Sequence, residues 1–289
     1  MAGSWHPAPS FGSVKLQLGT RSFDLTTRSL VVGVLNRTPD SFFDRGATFE
    51  LDALLRRAEA LVADGADVLD VGGVKAGPGP EVTEAEEIDR VVPAVEALHA
   101  RFDVPLSVDT WRASVAREAY CAGAVVGNDI SGFADPHYLE AAHRAGAAVV
   151  ATHIRTVPRV PDPDPHYDDV VAAVATFLQE RANRARAVGI GADRIVVDAG
   201  LDLGKTARQS LVLLRASARL ASLGYPLLLS ASNKPFLGVE LGLGIDERGD
   251  ASLAAAAVGV SLGCRLVRAH DVAGTRQVCD AIAAVLEAA

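Results

Sequence analysis

The chain has 289 residues, enough to bury a sizeable core as one large α/β domain or two small ones. Hydrophobic residues make up 49% and aromatics only 5%, which suits helices and parallel strands packed through aliphatic side chains. The formal charge of −8 argues against a nucleic-acid or anionic-membrane surface, and no apolar run reaches the roughly 20 residues of a membrane span.

Residues 1–13, MAGSWHPAPSFGS, have neither a cationic region nor an apolar core, so they read as a flexible tail and not a secretory signal. Cys121, Cys264 and Cys279 are far apart and read as free thiols in a reducing compartment; the expected location is cytoplasmic. Residues 14–289 read as one domain. It opens with VKLQLGTRSFDL, an alternating pattern around Gly19-Thr20 that predicts a β-hairpin. Eight short apolar runs follow: LVVGVLN, ADVLDVGG, PLSVDT, AVVGND, AAVVATH, RIVVDAG, PLLLSAS and RLVRAHD. Segments of helical period separate them, among them LDALLRRAEALVADG, EAEEIDRVVPAVEALHARF and HYDDVVAAVATFLQERANRARAVG. Gly65, Gly123, Gly146, Gly189 and Gly224 stand where helices should end. Eight such units predict an α/β fold, a closed (β/α)8 TIM barrel with an N-terminal β-hairpin. The competing open doubly wound sheet lacks a GxGxxG fingerprint after any strand.

In such a barrel the chemistry sits at the C-terminal ends of the strands. The polar residues there are Asn36, Asp70, Asp109, Asn128 with Asp129, His153, Asp198, Ser232 with Asn233 and Lys234, and Arg268 with His270 and Asp271. Polar groups at every strand end must be desolvated and paired, which gains a packed barrel nothing, so the set points to a ligand site. Taken singly, Asp70 and Asp129 read as acceptors for neighbouring loop backbone. Of the 28 Lys and Arg residues only Lys15, Lys75, Lys205 and Lys234 are lysines; the last three follow the second, sixth and seventh strands. Carboxylates such as Asp109 and Asp198 can accept paired N–H groups from a guanidine-like heterocycle edge, and Asn128 offers both a donor and an acceptor. Lys234 can donate to ring oxygen or nitrogen, while Arg268 and His270 suit a phosphate or diphosphate. Asn36 and the acidic loop TPDSFFD could hold a Mg²⁺ whose shell a diphosphate completes. Elsewhere the readings are structural. Trp111 packs at a helix start, PDPDPHYDD is a stiff loop and cap, and His166 is solvated. No zinc spacing or P-loop is present in the sequence.

The runs VVGVLNRTPDSFFDRGATF, GADVLDVGG with its PGP, SVDTWRASVA, GNDISG, VVDAGLDLGKT, SASNKPFLG and RLVRAHDV resemble, in order, the signatures of dihydropteroate synthases. The resemblance implies a transferase of folate biosynthesis that joins a pterin methyl diphosphate to p-aminobenzoate, an aryl amine, and releases diphosphate. It implies pterin recognition by Asp109, Asn128, Asp198 and Lys234, with Lys234, Asp109 and Arg268 as the catalytic set. It implies diphosphate binding by Asn36, Arg268 and His270, Mg²⁺ on Asn36, and second-substrate loops carrying Phe42, Lys75 and Asn233. It also implies a homodimer through the later helices, which the apolar run SLAAAAVGVSLG permits.

The sequence departs from that family in one region. The family's second loop reads G-G-E-S-T-R-P-G, and here it is Gly72-Gly73-Val74-Lys75-Ala76-Gly77-Pro78-Gly79. Asn233 replaces an arginine, Asp202-Leu203 replace Gly-Phe, Thr152 and Ile154 stand where methionines are common, and Arg45 replaces a glycine. The residues implied for the pterin remain, and those implied for the second substrate are altered. Three readings stay open: a dihydropteroate synthase with a divergent loop, a pterin-binding paralogue without that activity, and a transferase using another nucleophile.

Overall fold

A computed structural model describes residues 14–38 and 50–288. The segment read as a tail, and residues 39–49 with Phe42 and Arg45, lie outside the described residues. The hairpin is present as β1 (Lys15–Leu18) and β2 (Arg21–Asp24), paired antiparallel around Gly19-Thr20.

Eight parallel strands follow: β3 (Leu30–Asn36), β4 (Val68–Gly72), β5 (Leu106–Asp109), β6 (Val126–Asp129), β7 (Ala148–Thr152), β8 (Ile195–Asp198), β9 (Leu227–Leu229) and β10 (Cys264–Ala269). They close in sequence order, β10 pairing back onto β3, so the sheet has no open edge. Around them lie α1 (Leu51–Ala63), α2 (Glu84–Arg101), α3 (Ala113–Cys121), α4 (Tyr138–Ala145), α5 (Val170–Ala187), α6 (Ala207–Arg215), α7 (Ser217–Ala221), α8 (Pro235–Leu241), α9 (Gly249–Ser261) and α10 (Val272–Glu287). This is the predicted (β/α)8 barrel. No helix among the described residues is long and apolar enough to cross a membrane.

Strand side chains alternate between two environments. Those facing outward, such as Val31, Leu69, Val108, Val149 and Val197, join the helices in the main core. Those facing inward form a second cluster that includes Val32, Val68, Val126, Val196 and Leu266. Leu16, Leu18 and Leu25 from the hairpin region pack into that inner cluster. The hairpin therefore plugs the N-terminal end of the barrel with apolar side chains, and the polar residues are left to the other end.

Local signals explain the element boundaries. Thr83 and Glu86 form a reciprocal capping box that starts α2. Gly146 ends α4 with φ 65°, a left-handed conformation that glycine adopts without strain. The helix predicted from His166 begins at Val170, because the Asp169 carboxylate accepts from the amides of Val171 and Ala172, both at 2.9 Å, and fixes the start there. His166 is exposed and lies 3.6 Å from the Asp168 carboxylate.

Gly127 on β6 has no room for a side chain. A Cβ there would lie 2.1 Å from Tyr120 Oη and 2.6 Å from Tyr138 Oη, both on buried rings. Gly127→Ala is expected to destabilise the barrel by about 1–3 kcal/mol, read as a lower urea midpoint. An unchanged midpoint would contradict this account of the packing.

Candidate functional site

The C-terminal mouth holds a cavity of about 560 Å³ whose lining includes Asp109, Asn128, Asp198, Lys234 and Arg268. The structure thus brings the five residues assigned to pterin recognition and catalysis into one space. Asn36 and His270 line this cavity and also an adjoining one of about 500 Å³ that reaches α9. Lys75 sits at the rim of the main cavity. Asn233 does not line it. Its backbone is left-handed, with φ 57°. Its amide donates to Ser252 Oγ at 2.9 Å, and its carbonyl accepts from Arg248 Nη1 at 3.1 Å. Asn233 therefore turns toward α9 and lines the adjoining cavity instead.

Strand register builds the floor. Asn36, Gly72, Asp109 and Asn128 are cross-strand neighbours on four consecutive strands. Arg268 starts lower, level with Val32, and its long side chain reaches up from the apolar interior. Arg268 Nε donates to Asp70 Oδ2 at 2.7 Å and Nη2 donates to Asp109 Oδ2 at 2.9 Å. Asn128 Nδ2 donates to the same Asp70 oxygen at 3.2 Å. The expectation that Asp70 serves loop backbone is thereby corrected: its partners are two side chains of the site. Asp129 does serve the backbone, accepting from Ser131 N at 2.6 Å and Phe133 N at 2.9 Å.

These contacts set the charges. Burial pushes the Asp109 carboxyl up from 3.8 to about 7; Arg268 opposes the rise, and the Asp70 carboxylate adds to it. Burial also raises Asp198, against the attraction of Lys234 and a 2.8 Å hydrogen bond from Gly200 N. Lys234 is pulled down by burial, with Asp198 opposing, and its Nζ donates to Leu201 O at 2.7 Å.

Lys205 has a different role from Lys234. Its Nζ donates to Gly200 O at 2.8 Å and Leu203 O at 2.9 Å, and lies 2.9 Å from His153 Nδ1. Burial lowers Lys205 to about 7, and burial with the Lys205 charge lowers His153 to about 3. The imidazole is thus neutral near pH 7. Lys205 staples the loop that carries Leu201, the carbonyl bound to Lys234. Asp202 also lines the cavity, and its carboxylate accepts from Phe236 N at 3.2 Å at the start of α8.

The altered second loop is tied down on both sides. Gly73 O accepts from Arg90 Nη1 at 3.1 Å. Ala76 O accepts from Arg159 N at 3.2 Å, and Pro80 O accepts from the Arg159 guanidinium. Arg159 and Arg248 both line the cavity, and neither was picked out from the sequence. Arg159 lies just before the PDPDPHYDD loop, and its left-handed φ of 69° has no sequence signal. Among the described residues no three His, Cys, Asp or Glu side chains cluster to hold a metal.

Comparison with known proteins places the chain in a family. A family model described as pterin binding enzyme matches residues 32–270. A Mycobacterium leprae protein named "Inactive dihydropteroate synthase 2" is 44% identical over 264 residues, covering 89% of this chain and 91% of its own. The dihydropteroate synthase of Haemophilus influenzae is 38% identical over 263 residues, with 91% and 95% covered. The crystal structure of the Yersinia pestis dihydropteroate synthase with a sulfonamide drug complex superposes with a TM-score of 0.91 at 37% identity, covering 96% of this chain and 100% of that one.

A folded-state pKa above the unfolded value means that the native protein holds this proton more tightly. The Asp109 contribution to stability is therefore full below about pH 4 and is lost as pH rises through about 7. Asp109→Asn is expected to flatten that decline and to raise Tm at pH 8 by about 2–4 °C. Thermal melts across this range check it; a variant whose melting tracks the parent at every pH would contradict it.

Proposed function

The chain belongs to the pterin-binding enzyme family that includes the dihydropteroate synthases, and on that premise we propose that it binds a pterin diphosphate in the mouth of the barrel without making dihydropteroate at an enzyme's ordinary rate. The observation that carries the first half is the convergence of Asp109, Asn128, Asp198, Lys234 and Arg268 on one cavity. Two carboxylates, an amide and a lysine match the N–H groups, ring nitrogens and carbonyl of a pterin edge. Asn36, Arg268 and His270 stand beside them for the diphosphate.

Support for the second half comes from the acceptor side. The second loop offers Val74, Lys75, Ala76 and Gly77 in place of the hydroxyls and guanidinium expected from the family, and Asn233 faces α9. Asp202 adds a carboxylate next to Lys234. Charge-assisted hydrogen bonds to a desolvated carboxylate contribute about 1.5–3 kcal/mol each, so their loss weakens p-aminobenzoate binding strongly. The name of the Mycobacterium leprae relative points the same way.

Asn36 offers a single amide oxygen, which suits a Mg²⁺ that arrives with the diphosphate and keeps diphosphate and water oxygens in its shell. Such an ion would neutralise charge on the departing diphosphate. Retention of the whole pterin and diphosphate set favours a second reading, in which the methylene carbon is transferred to a different nucleophile.

Calorimetry with the pterin diphosphate and Mg²⁺ is expected to show binding that Asp198→Ala weakens by at least about tenfold. With p-aminobenzoate added, dihydropteroate formation is expected to stay far below about 1 s⁻¹. Turnover at or above that rate would overturn the paralogue reading, and diphosphate release without dihydropteroate would favour the second reading. Absence of pterin binding by the parent protein would remove the pterin site altogether.

A further inference from the structure

We propose that Asp70 is a positioning residue for pterin recognition, holding the Arg268 guanidinium against Asp109 and turning the Asn128 amide so that its oxygen faces the cavity. This rests on the pterin-site reading above. Asp70 has no solvent exposure and does not line the cavity, so it acts only through its partners. Its Oδ2 accepts from Arg268 Nε at 2.7 Å and from Asn128 Nδ2 at 3.2 Å. Its Oδ1 is buried with no hydrogen-bond partner.

A carboxylate in that position does little for stability. The cost of burying it is comparable to the attraction it gains, and one of its oxygens stays unsatisfied. The inward-facing side chains just below it, Val32, Val68, Val126 and Leu266, are all apolar. Its consequences lie in the site instead. Arg268 is fixed at Nε by Asp70 and at Nη2 by Asp109, which leaves Nη1 without a protein partner among the described residues and available to the cavity that Arg268 lines. Asn128 spends an N–H on Asp70, so its carbonyl oxygen is presented as an acceptor. An amide turned the other way would present donors and would select a different ring edge.

The Asp70 charge also reaches Asp109. The charged groups that act on the Asp109 carboxyl are Arg268 from β10, Asp70 from β4, Glu87 from α2 and Asp129 from β6; Lys234, before α8, and Tyr138, on α4, also interact with it. Asp70 is one of the groups that raise it. Neutralising Asp70 with the shape kept therefore moves the Asp109 titration to lower pH.

The test compares wild type with Asp70→Asn, using 6-hydroxymethylpterin as the probe and calorimetry from about pH 5 to about pH 8, with thermal melts alongside. The expected result is a loss of affinity of about tenfold or more, together with an acidward shift in the midpoint of the pH dependence of binding. A residue that only supported the fold would lower Tm and leave that midpoint in place. A folded variant with unchanged affinity and midpoint overturns the proposal. If wild type binds no pterin, the proposed function fails, and carboxyl carbon NMR on the ligand-free protein still decides the Asp70 inference: the Asp109 titration must move acidward in Asp70→Asn. If that variant does not fold, solvent exchange of the Arg268 Nε–H in wild type decides it. Slow exchange is expected from the buried bond to Asp70, and exchange as fast as that of a solvated arginine overturns the inference.

Discussion

One guanidinium shared by two carboxylates inside the barrel mouth organises this molecule. Arg268 rises from the apolar interior and meets Asp70 and Asp109. Burial raises the Asp109 carboxyl, the Asp70 charge adds to the rise against the pull of Arg268, and the carboxyl keeps its proton to about pH 7. The closed barrel supplies the rigidity that makes such a cluster persist, because strand register leaves these side chains nowhere else to go. A ligand with N–H groups to offer would favour the ionised Asp109 carboxylate. The site is therefore unstable in the way a recognition site should be: its polar groups are paired with each other only in part.

The division of labour along the barrel axis follows from the same constraint. Apolar side chains fill the lower interior, and the hairpin residues Leu16, Leu18 and Leu25 close it. Polar residues gather above, where water and ligand can satisfy them. The outer loops then differ in how they are held. The loop after β8 is stapled from within by Lys205. The loop after β4 is held from outside by Arg90 and Arg159. The first of these loops is thus braced by a buried lysine and the second by half-exposed arginines.

Much of this was legible before any coordinates. Eight apolar runs, spaced by helical segments, defined the barrel, and most strands brought a polar residue to the mouth, while Asp70 and Asp129 turned to partners within the protein. Helix ends followed from glycines, whereas α5 begins later than its helical period suggests, at the Asp169 cap. The partner of Asp70 was not legible. A carboxylate two residues before a Gly-Gly turn reads equally well as a loop acceptor, and only the register of β4, β6 and β10 brings Asn128 and Arg268 to it. The orientation of Asn233 was not legible either: with its left-handed backbone the side chain accepts from Ser252, and no local pattern encodes that turn. Arg159 escaped notice because its role depends on a contact to a loop some 80 residues earlier in the chain.

The sealed end of the barrel has a kinetic meaning as well as a structural one. A vessel sealed at one end has a single doorway, so entry and exit share one path. The strand side chains already fill the barrel interior, and the three hairpin leucines cap that filling at the end far from the polar residues.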